Sequence, residues 1–281
     1  MNTEIQNLLD LTNLNWRVSK QTMQTETGII VPDKVALVRS DTNSILSVMG
    51  ATYEPYQNEE LLELLFKIKQ STGLEIHTGG EFNDGARVFI QLKSDDFRLG
   101  NDKIEGYITG TNSFDGRTSL CFGISNITIS CMNTFFGASK QLDSKLKHSS
   151  NMRPRIESIL QGIDSLLLEE KQAFQTIQRL AETRITNETK DTVIRTIFGL
   201  TKDERMQDIS TRKLNQIETF KADWASEIAD KGDNLWGAFS SGTKYTTHHF
   251  NKDATRREEL KMFGASGDID RAVWSTLSAA A

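Results

Sequence analysis

The chain has 281 residues, a formal net charge of −5 and a hydrophobic content of 37%, values that suit one large or two modest globular domains. Its acidic balance argues against a general attraction to nucleic acid or anionic membranes, but leaves room for a local basic track. No stretch approaches the roughly 20 apolar residues that span a bilayer, and the N-terminus lacks the pattern of a secretory signal. We therefore expect a cytoplasmic protein without a membrane partner.

The first part of the chain predicts a helix, a hairpin and a second helix. Residues 1–25 contain an amphipathic segment with helically spaced apolar residues, which predicts a docking helix. Residues 34–49 predict a β-hairpin, because apolar runs flank a turn of polar residues. Asn58 is the expected N-cap of the next helix, which ends at Gly73.

Strand patterns follow. Residues 74–78 predict a strand, 79–85 a turn-rich interval and 95–102 a loop. Between the turn and the loop, residues 86–93 alternate between two faces. The apolar face carries Val88, Ile90 and Leu92, and the other face carries Arg87, Phe89, Gln91 and Lys93.

The stretch from residue 106 to residue 136 predicts the centre of the sheet. A first run over 106–112 and a second run over 118–131 flank the turn signal Asp115-Gly116. Apolar residues occupy even positions early in the second run and odd positions later, so the phase slips near Ser125. A one-residue slip moves side chains to the other face, which predicts a bulge or bend there.

The second half of the chain is helical in pattern. An apolar stripe from Ile156 to Ile185 predicts one helix of about 30 residues and ~45 Å, with Pro154 in its first turn. Shorter patterns predict helices over 190–200, 205–228, 235–250 and 271–277. We predict an α+β fold, with an N-terminal antiparallel sheet and packed helix over residues 1–139 and a mostly α-helical half over residues 140–281.

Catalytic patterns are weak in this sequence. The four histidines lack the spacing of a metal site, and Cys121 and Cys131 lie in a strand pattern typical of buried thiols. The spacing of these residues therefore predicts no metal site. There is no nucleotide-binding glycine loop, so we also predict no cofactor and no use of ATP. A magnesium-dependent nuclease would need grouped carboxylates, for which Asp115 with Asp84 or Glu105 is the candidate.

Several short motifs resemble a phage- and plasmid-like family labelled "domain of unknown function 932". They are Arg39-Ser-Asp-Thr42, Tyr53-Glu-Pro-Tyr-Gln-Asn58, Gly85-Ala-Arg-Val-Phe89, Asn112-Ser-Phe-Asp-Gly116, Ile127-Thr-Ile-Ser-Cys-Met-Asn-Thr134, His148, and Asn234-Leu-Trp-Gly-Ala-Phe239 followed by residues 243–249. Where the family pattern has Asn-Thr-X-Trp-Gly, this chain has Gly232-Asp-Asn-Leu-Trp-Gly237, a small departure. The resemblance implies a phage or plasmid origin, hence the cytoplasm of a host cell, and implies no reaction.

Basic and aromatic residues carry the functional prediction. A sheet face with rings and cations beside a basic track can bind a single strand, because bases stack on rings while cations follow phosphates. A solvated face followed by a polar linker explains the same pattern. The predicted nucleic-acid-binding residues are Arg87, Lys93, Arg117, Lys140, Lys145, Lys147, Arg153 and Arg155.

We therefore predict a binding protein rather than an enzyme: an ATP-independent protein that binds and anneals single-stranded DNA in phage or plasmid recombination. The order of its elements is similar to the core of phage single-strand annealing proteins. Annealing implies a homo-oligomer, for which the stripe from Ile156 to Ile185 offers a subunit contact. The alternatives are a phage interaction or anti-defence protein that binds other proteins, and a metal-dependent nuclease.

Overall fold

The computed structural model describes residues 3–128, 133–138, 145–146, 148 and 152–281. Two compact units interleave along the chain. One comprises Met1–Asp95, Gly106–Ser125 and Ala138–Glu169, and the other comprises Asp96–Glu105, Asn126–Gly137 and Glu170–Ala281. The division into residues 1–139 and 140–281 stays a prediction, since each of these units combines separate segments of the chain.

The predicted α+β class is confirmed, with strands in the N-terminal half and a largely helical C-terminal half. The strands are β1 (Val18–Gln24), β2 (Ile30–Arg39), β3 (Ile45–Gly50), β4 (Glu75–Phe82), β5 (Arg87–Leu99), β6 (Asp102–Ser113), β7 (Leu120–Thr128), β8 (Asn133–Ala138) and β9 (Lys145–Leu146). The helices are α1 (Thr3–Leu11), α2 (Asn58–Thr72), α3 (Met152–Gln161), α4 (Ile163–Glu182), α5 (Asn187–Phe198), α6 (Thr211–Lys231), α7 (Leu235–His248), α8 (Ala254–Phe263) and α9 (Ala265–Ala280). No helix in the described part of the chain has the length and apolar character to cross a membrane.

The strands form two sheets. In the first, β2 lies between β1 and β3 and pairs antiparallel with both. The second has the order β4-β5-β6-β7-β8, and β9 also pairs with β7. The predicted hairpin is confirmed as β2 and β3. The pattern did not predict β1, because its residues are mostly polar and exposed.

Helix α2 packs on the second sheet, as predicted. A Cβ on Gly110 of β6 would lie 3.3 Å from Leu65 Cδ1 and 2.9 Å from Phe122 Cε1, so glycine permits this close approach. The helix begins one residue before the prediction, since Gln57 is its N-cap and the Glu60 carboxylate accepts a hydrogen bond from the Gln57 N–H. It ends at the predicted Gly73, whose φ is +76°.

Two predicted irregular stretches belong to strands. The turn-rich interval 79–85 is strand as far as Phe82, followed by a short 3₁₀ turn at Asn83–Gly85. The predicted loop 95–102 is wrong, because β5 continues to Leu99 and only Gly100 and Asn101 separate it from β6. Exposed charged residues there alternate with Phe97 and Leu99, which pack against the core of the second unit.

The central strands are buried more completely than alternation predicts. Val88, Ile90 and Leu92 are fully buried, as expected. On the opposite face Arg87 and Gln91 are each only 6% exposed, so this face is covered too. Leu120, Phe122 and Ile124 are buried as predicted, and so is Ser125 at the predicted bulge. The later odd positions 129 and 131 lie outside the described residues.

The predicted long helix is instead two helices. α3 ends at Gln161 and α4 begins at Ile163, so the break falls at Gly162, a residue that disfavours a helix interior. The other predicted helices correspond to α5, α6, α7 and α9, whereas α8 was not predicted. Phe198, Phe220 and Tyr245 make edge-to-face contacts in the core that these helices share.

An ion pair is buried among the C-terminal helices. Lys261 on α8 pairs with Asp270 on α9, and Thr246 on α7 donates a hydrogen bond of 2.6 Å to Asp270. Burial lowers the pKa of Lys261 and raises the pKa of Asp270, while their mutual attraction opposes both shifts. The pair therefore links three helices at a high cost of desolvation.

Replacing one member of this pair is expected to destabilise the protein. Lys261→Met leaves Asp270 without its cation and should lower the free energy of unfolding by about 3–5 kcal/mol. The double variant Lys261→Met/Asp270→Leu should recover part of this loss. Urea denaturation measures both. Lys221→Met is the control, because Lys221 is 51% exposed in its pair with Glu218 and should cost under about 1 kcal/mol. An equal effect of the two single variants would contradict the prediction.

Candidate nucleic-acid interface

The loop between β6 and β7 is anchored to three separate parts of the first unit. The Phe114 N–H donates to Ala86 O at 2.8 Å, and the Phe114 side chain is fully buried. Ser47 Oγ on β3 donates to Phe114 O at 2.5 Å, and the Tyr53 hydroxyl donates to Ser113 O at 2.8 Å. These contacts fix the backbone of the loop at Ser113 and Phe114, directly before its tip.

An ion pair completes this anchoring. Arg87 Nε and Nη2 both lie 3.0 Å from Asp115 Oδ2, and the two side chains are 7% and 14% exposed. The other carboxylate oxygen, Oδ1, accepts a hydrogen bond of 3.0 Å from the Arg117 N–H. Asp115 therefore ties the loop to β5 and also sets the backbone that carries Arg117, whose side chain is exposed.

A second arginine lies beneath this loop. The Arg39 guanidinium is 4.2 Å from the centre of the Trp16 ring, and this ring contacts Phe114 at 5.6 Å between centroids. Arg39 Nη1 donates to Glu81 at 2.7 Å. Gly85, with φ +95°, leaves the space that these groups occupy, since a Cβ there would lie 2.7 Å from Arg39 Nη1.

Neighbouring carboxylates hold the Arg39 charge in place. Hydrogen bonds from Arg39 lower the pKa of Asp41, and the same contact raises the pKa of Arg39. Trp16 Nε1 donates to the second oxygen of Glu81 at 3.0 Å. The arginine is thus paired on several sides and serves as an internal support rather than a surface cation.

Strand β9 and His148 bring part of the basic segment to this loop. Lys145 pairs with Cys121 and Leu146 with Leu120 at the start of β7, directly after the loop. The His148 ring stacks on Tyr53, with centroids 5.0 Å apart and planes at 20°. Helix α3, which carries Arg155, contacts β9. Main-chain pairing therefore places the backbone of Lys145 opposite Cys121, in the strand that follows the Arg117 loop.

The predicted binding residues have different environments. Arg87 is buried in its ion pair, and Lys93 is half-buried, donates to Gly106 O at 3.5 Å and lies 4.9 Å from the Tyr107 ring. Arg117 and Arg155 are exposed. The backbone of Lys145 belongs to β9 and that of Arg153 to α3, whereas Lys140 and Lys147 lie outside the described residues.

Sequence reasoning missed the residues that support the loop. Trp16, Arg39, Tyr53 and Glu81 had no predicted binding role, and Asp115 was considered as a metal-binding acid and not as a support of the loop. Of these, Arg39, Tyr53 and Asp115 lie in motifs that carried the family resemblance, which was the available signal. Their convergence shows that separated motifs build one structural feature.

Two of the three acids proposed for a nuclease are paired with cations, and the third, Asp84, is exposed. Asp115 is paired with Arg87, and Glu105 with Lys103 at 2.9 Å. The Asp84 carbonyl accepts a hydrogen bond from Arg39. Across the described ranges, no group of three or more His, Cys, Asp or Glu side chains is arranged to hold a metal ion. Cys121 is buried, as predicted, and Cys131 lies outside those ranges.

Asp115→Asn is expected to destabilise the first unit. The amide cannot neutralise Arg87, so a buried cation loses its partner and the free energy of unfolding should fall by about 3–5 kcal/mol. Urea denaturation tests this. Asp191→Asn is the matched control, because Asp191 is 51% exposed in its pair with Arg195 and should change stability by under about 1 kcal/mol. A loss at Asp115 no larger than the control would show that the pair is not important for the fold.

Comparisons with known proteins identify a family. No curated protein and no solved structure matches the chain. A family model described as "Domain of unknown function (DUF932)" matches residues 45–273. This range contains the loop, its ion pair, β9 and nearly all of the C-terminal helices. The chain therefore belongs to the DUF932 family.

Proposed function

We propose that this protein binds single-stranded DNA and anneals complementary strands without ATP, in phage or plasmid recombination in the cytoplasm of a host cell. The main supporting observation is the pairing of β9 with β7. It brings the backbone of Lys145 next to the strand that follows the Arg117 loop. Exposed Arg155 follows on α3, which contacts β9. The backbone positions of these three residues therefore belong to successive elements of the first unit, of which β9 pairs with β7 and contacts α3.

The chemistry of this region suits phosphates better than bases. Guanidinium groups donate several hydrogen bonds to phosphate oxygens and keep their charge at any physiological pH. The ring on the predicted binding face, Phe89, is half-buried and stacks on Phe82 at 5.6 Å between centroids. Binding through phosphates depends little on sequence and weakens with salt, which suits a protein that must act on any strand.

Annealing also needs more than one copy of the protein, and the predicted contact for this is largely covered. Leu166, Phe174, Ile177 and Leu180 of the apolar stripe are buried within the chain. Leu168 on α4 remains 51% exposed. The homo-oligomer remains a proposal, and the stripe as a whole is not free to form it.

Reversing the charge of Arg117 tests the proposed site. Arg117→Glu should weaken binding of a fluorescent single-stranded oligonucleotide about 5–30-fold, which corresponds to 1–2 kcal/mol, because one phosphate contact becomes a repulsion. The slope of log affinity against log salt should fall by about one. Lys145→Glu and Arg155→Glu are expected to act in the same direction. Fluorescence anisotropy at two salt concentrations measures both quantities.

Arg184→Glu is the matched control for these variants. Arg184 is 87% exposed and belongs to the second unit, so its reversal should leave the affinity within about twofold. Failure of the wild-type protein to bind at low salt would refute the proposal. Loss of the labelled strand on adding magnesium or manganese would instead favour the nuclease.

A specific observation favours the second candidate, a phage interaction or anti-defence protein that binds another protein. Ile29 and Ile30 near the turn between β1 and β2 are 66% and 62% exposed, and Ile45 on β3 is 66% exposed. Ile30 pairs with Gln24 at the start of β2, whereas Ile45 pairs with Val38 near the other end of the same strand. The adjacent exposed side chains of Ile29 and Ile30 are therefore the candidate interaction surface, since exposed apolar side chains that lie together are typical of such surfaces.

Polar replacement of the hairpin tip separates the two candidates. The double variant Ile29→Ser/Ile30→Ser should leave oligonucleotide affinity unchanged within about twofold, because the tip carries no cation in the proposed DNA site. On the second candidate it should abolish capture of a protein partner in a pull-down. Leu168→Ser is the control, since it removes an exposed apolar side chain from a different element. Equal loss of DNA binding by both variants would indicate general damage to the fold.

A further inference from the structure

His148 occupies a position that an apolar ring would fill at lower cost. Both of its ring nitrogens are buried without a hydrogen-bond partner of good geometry, although each imidazole nitrogen is a donor or an acceptor. Leaving such a group unpaired costs free energy, so its presence calls for an explanation. Thr118 Oγ1, on the neighbouring loop, is also buried without a partner.

The groups that face His148 do not favour its charged form. Tyr53, on which it stacks, uses its hydroxyl to bond Ser113 O. Burial raises the pKa of Tyr53 and the negative charge of Asp115 helps to raise it, but this carboxylate is paired with Arg87. Burial lowers the pKa of His148 to about 4, and the backbone of Glu54 offsets this only in part. The ring is therefore neutral at physiological pH.

We infer that His148 is a positioning residue of the proposed DNA site: its neutral ring, stacked on Tyr53, holds β9 and the start of α3 beside the Arg117 loop, and protonation removes this hold. This inference rests on the proposed function for its effect on DNA. The hold itself depends only on the stack and on the pairing of β9 with β7.

The direction of the pH effect follows from linkage. A histidine whose pKa is lower in the folded state gives stability that is complete above its unfolded value, about 6.5. This stability is lost as the pH falls toward the folded value of about 4. At pH 5 the equilibrium between the held and released states should have shifted toward release by on the order of tenfold.

This expectation opposes the general electrostatic trend. Acidification protonates carboxylates and makes the whole protein more positive, which by itself strengthens binding to a polyanion. A loss of DNA affinity between pH 7.5 and pH 5 would therefore require a structural cause. His148→Phe keeps a ring on Tyr53 and removes the titration, so its affinity should stay level or rise over the same range.

The experiment compares the wild-type protein, His148→Phe and the control His77→Phe, in which an exposed histidine is replaced. Oligonucleotide affinity is measured at pH 7.5 and pH 5 by anisotropy. Hydrogen exchange of the peptide containing β9 is measured without DNA and corrected for the intrinsic effect of pH. We expect β9 to lose roughly tenfold in protection at pH 5 in the wild-type and His77→Phe proteins, and to keep it in His148→Phe.

The outcomes separate the inference from the proposed function. Equal protection of β9 in the wild-type and His148→Phe proteins at pH 5 would overturn the inference. A pH-dependent loss of protection without oligonucleotide binding at any pH would refute the proposed function and leave the hold by His148 supported. Should His148→Phe fold poorly, as judged by circular dichroism, His148→Leu provides the same test with a smaller apolar side chain.

Discussion

The form of the β6–β7 loop depends on the buried ion pair between Arg87 and Asp115. Two charges at 7% and 14% exposure lose most of their hydration, and such a pair is tolerated only where further hydrogen bonds satisfy its remaining atoms. Asp115 meets this condition by accepting the Arg117 N–H. The pair holds Asp115 against β5. Because Asp115 also binds the backbone N–H of Arg117, the pair determines the position from which the Arg117 side chain leaves the loop.

The same logic explains why the motifs that carried the resemblance are so dispersed along the chain. Arg39, Tyr53, Arg87 and Asp115 come from different elements, yet all of them contact the loop or the groups beneath it. Each contributes a buried polar or charged group that would be costly without its partner. The motifs therefore mark the support of a surface rather than the surface itself.

The sequence predicted which residues share a face better than it predicted whether that face is covered. Alternation assigned Val88, Ile90 and Leu92 to a core correctly, because period-two patterns follow directly from strand geometry. It gave Arg87 to a solvent face, since nothing local reveals that Asp115 pairs with it across the fold. Charged residues at the end of β5 led to the wrong prediction of a loop there. The apolar stripe predicted one continuous helix, but the chain breaks at Gly162 into α3 and α4.

The distribution of charge sets the character of any DNA binding by this chain. Arg39 and Arg87 are neutralised internally, so they add little to the field outside a protein whose net charge is −5. On the proposed function, a single copy would therefore rely on the few cations around β9 and Arg117, and its affinity would be modest and sensitive to salt. Several copies bound along one strand would combine these weak contacts, because each further copy is held at high effective concentration. For such a site, strong binding would come from assembly on the strand rather than from the individual protein surface.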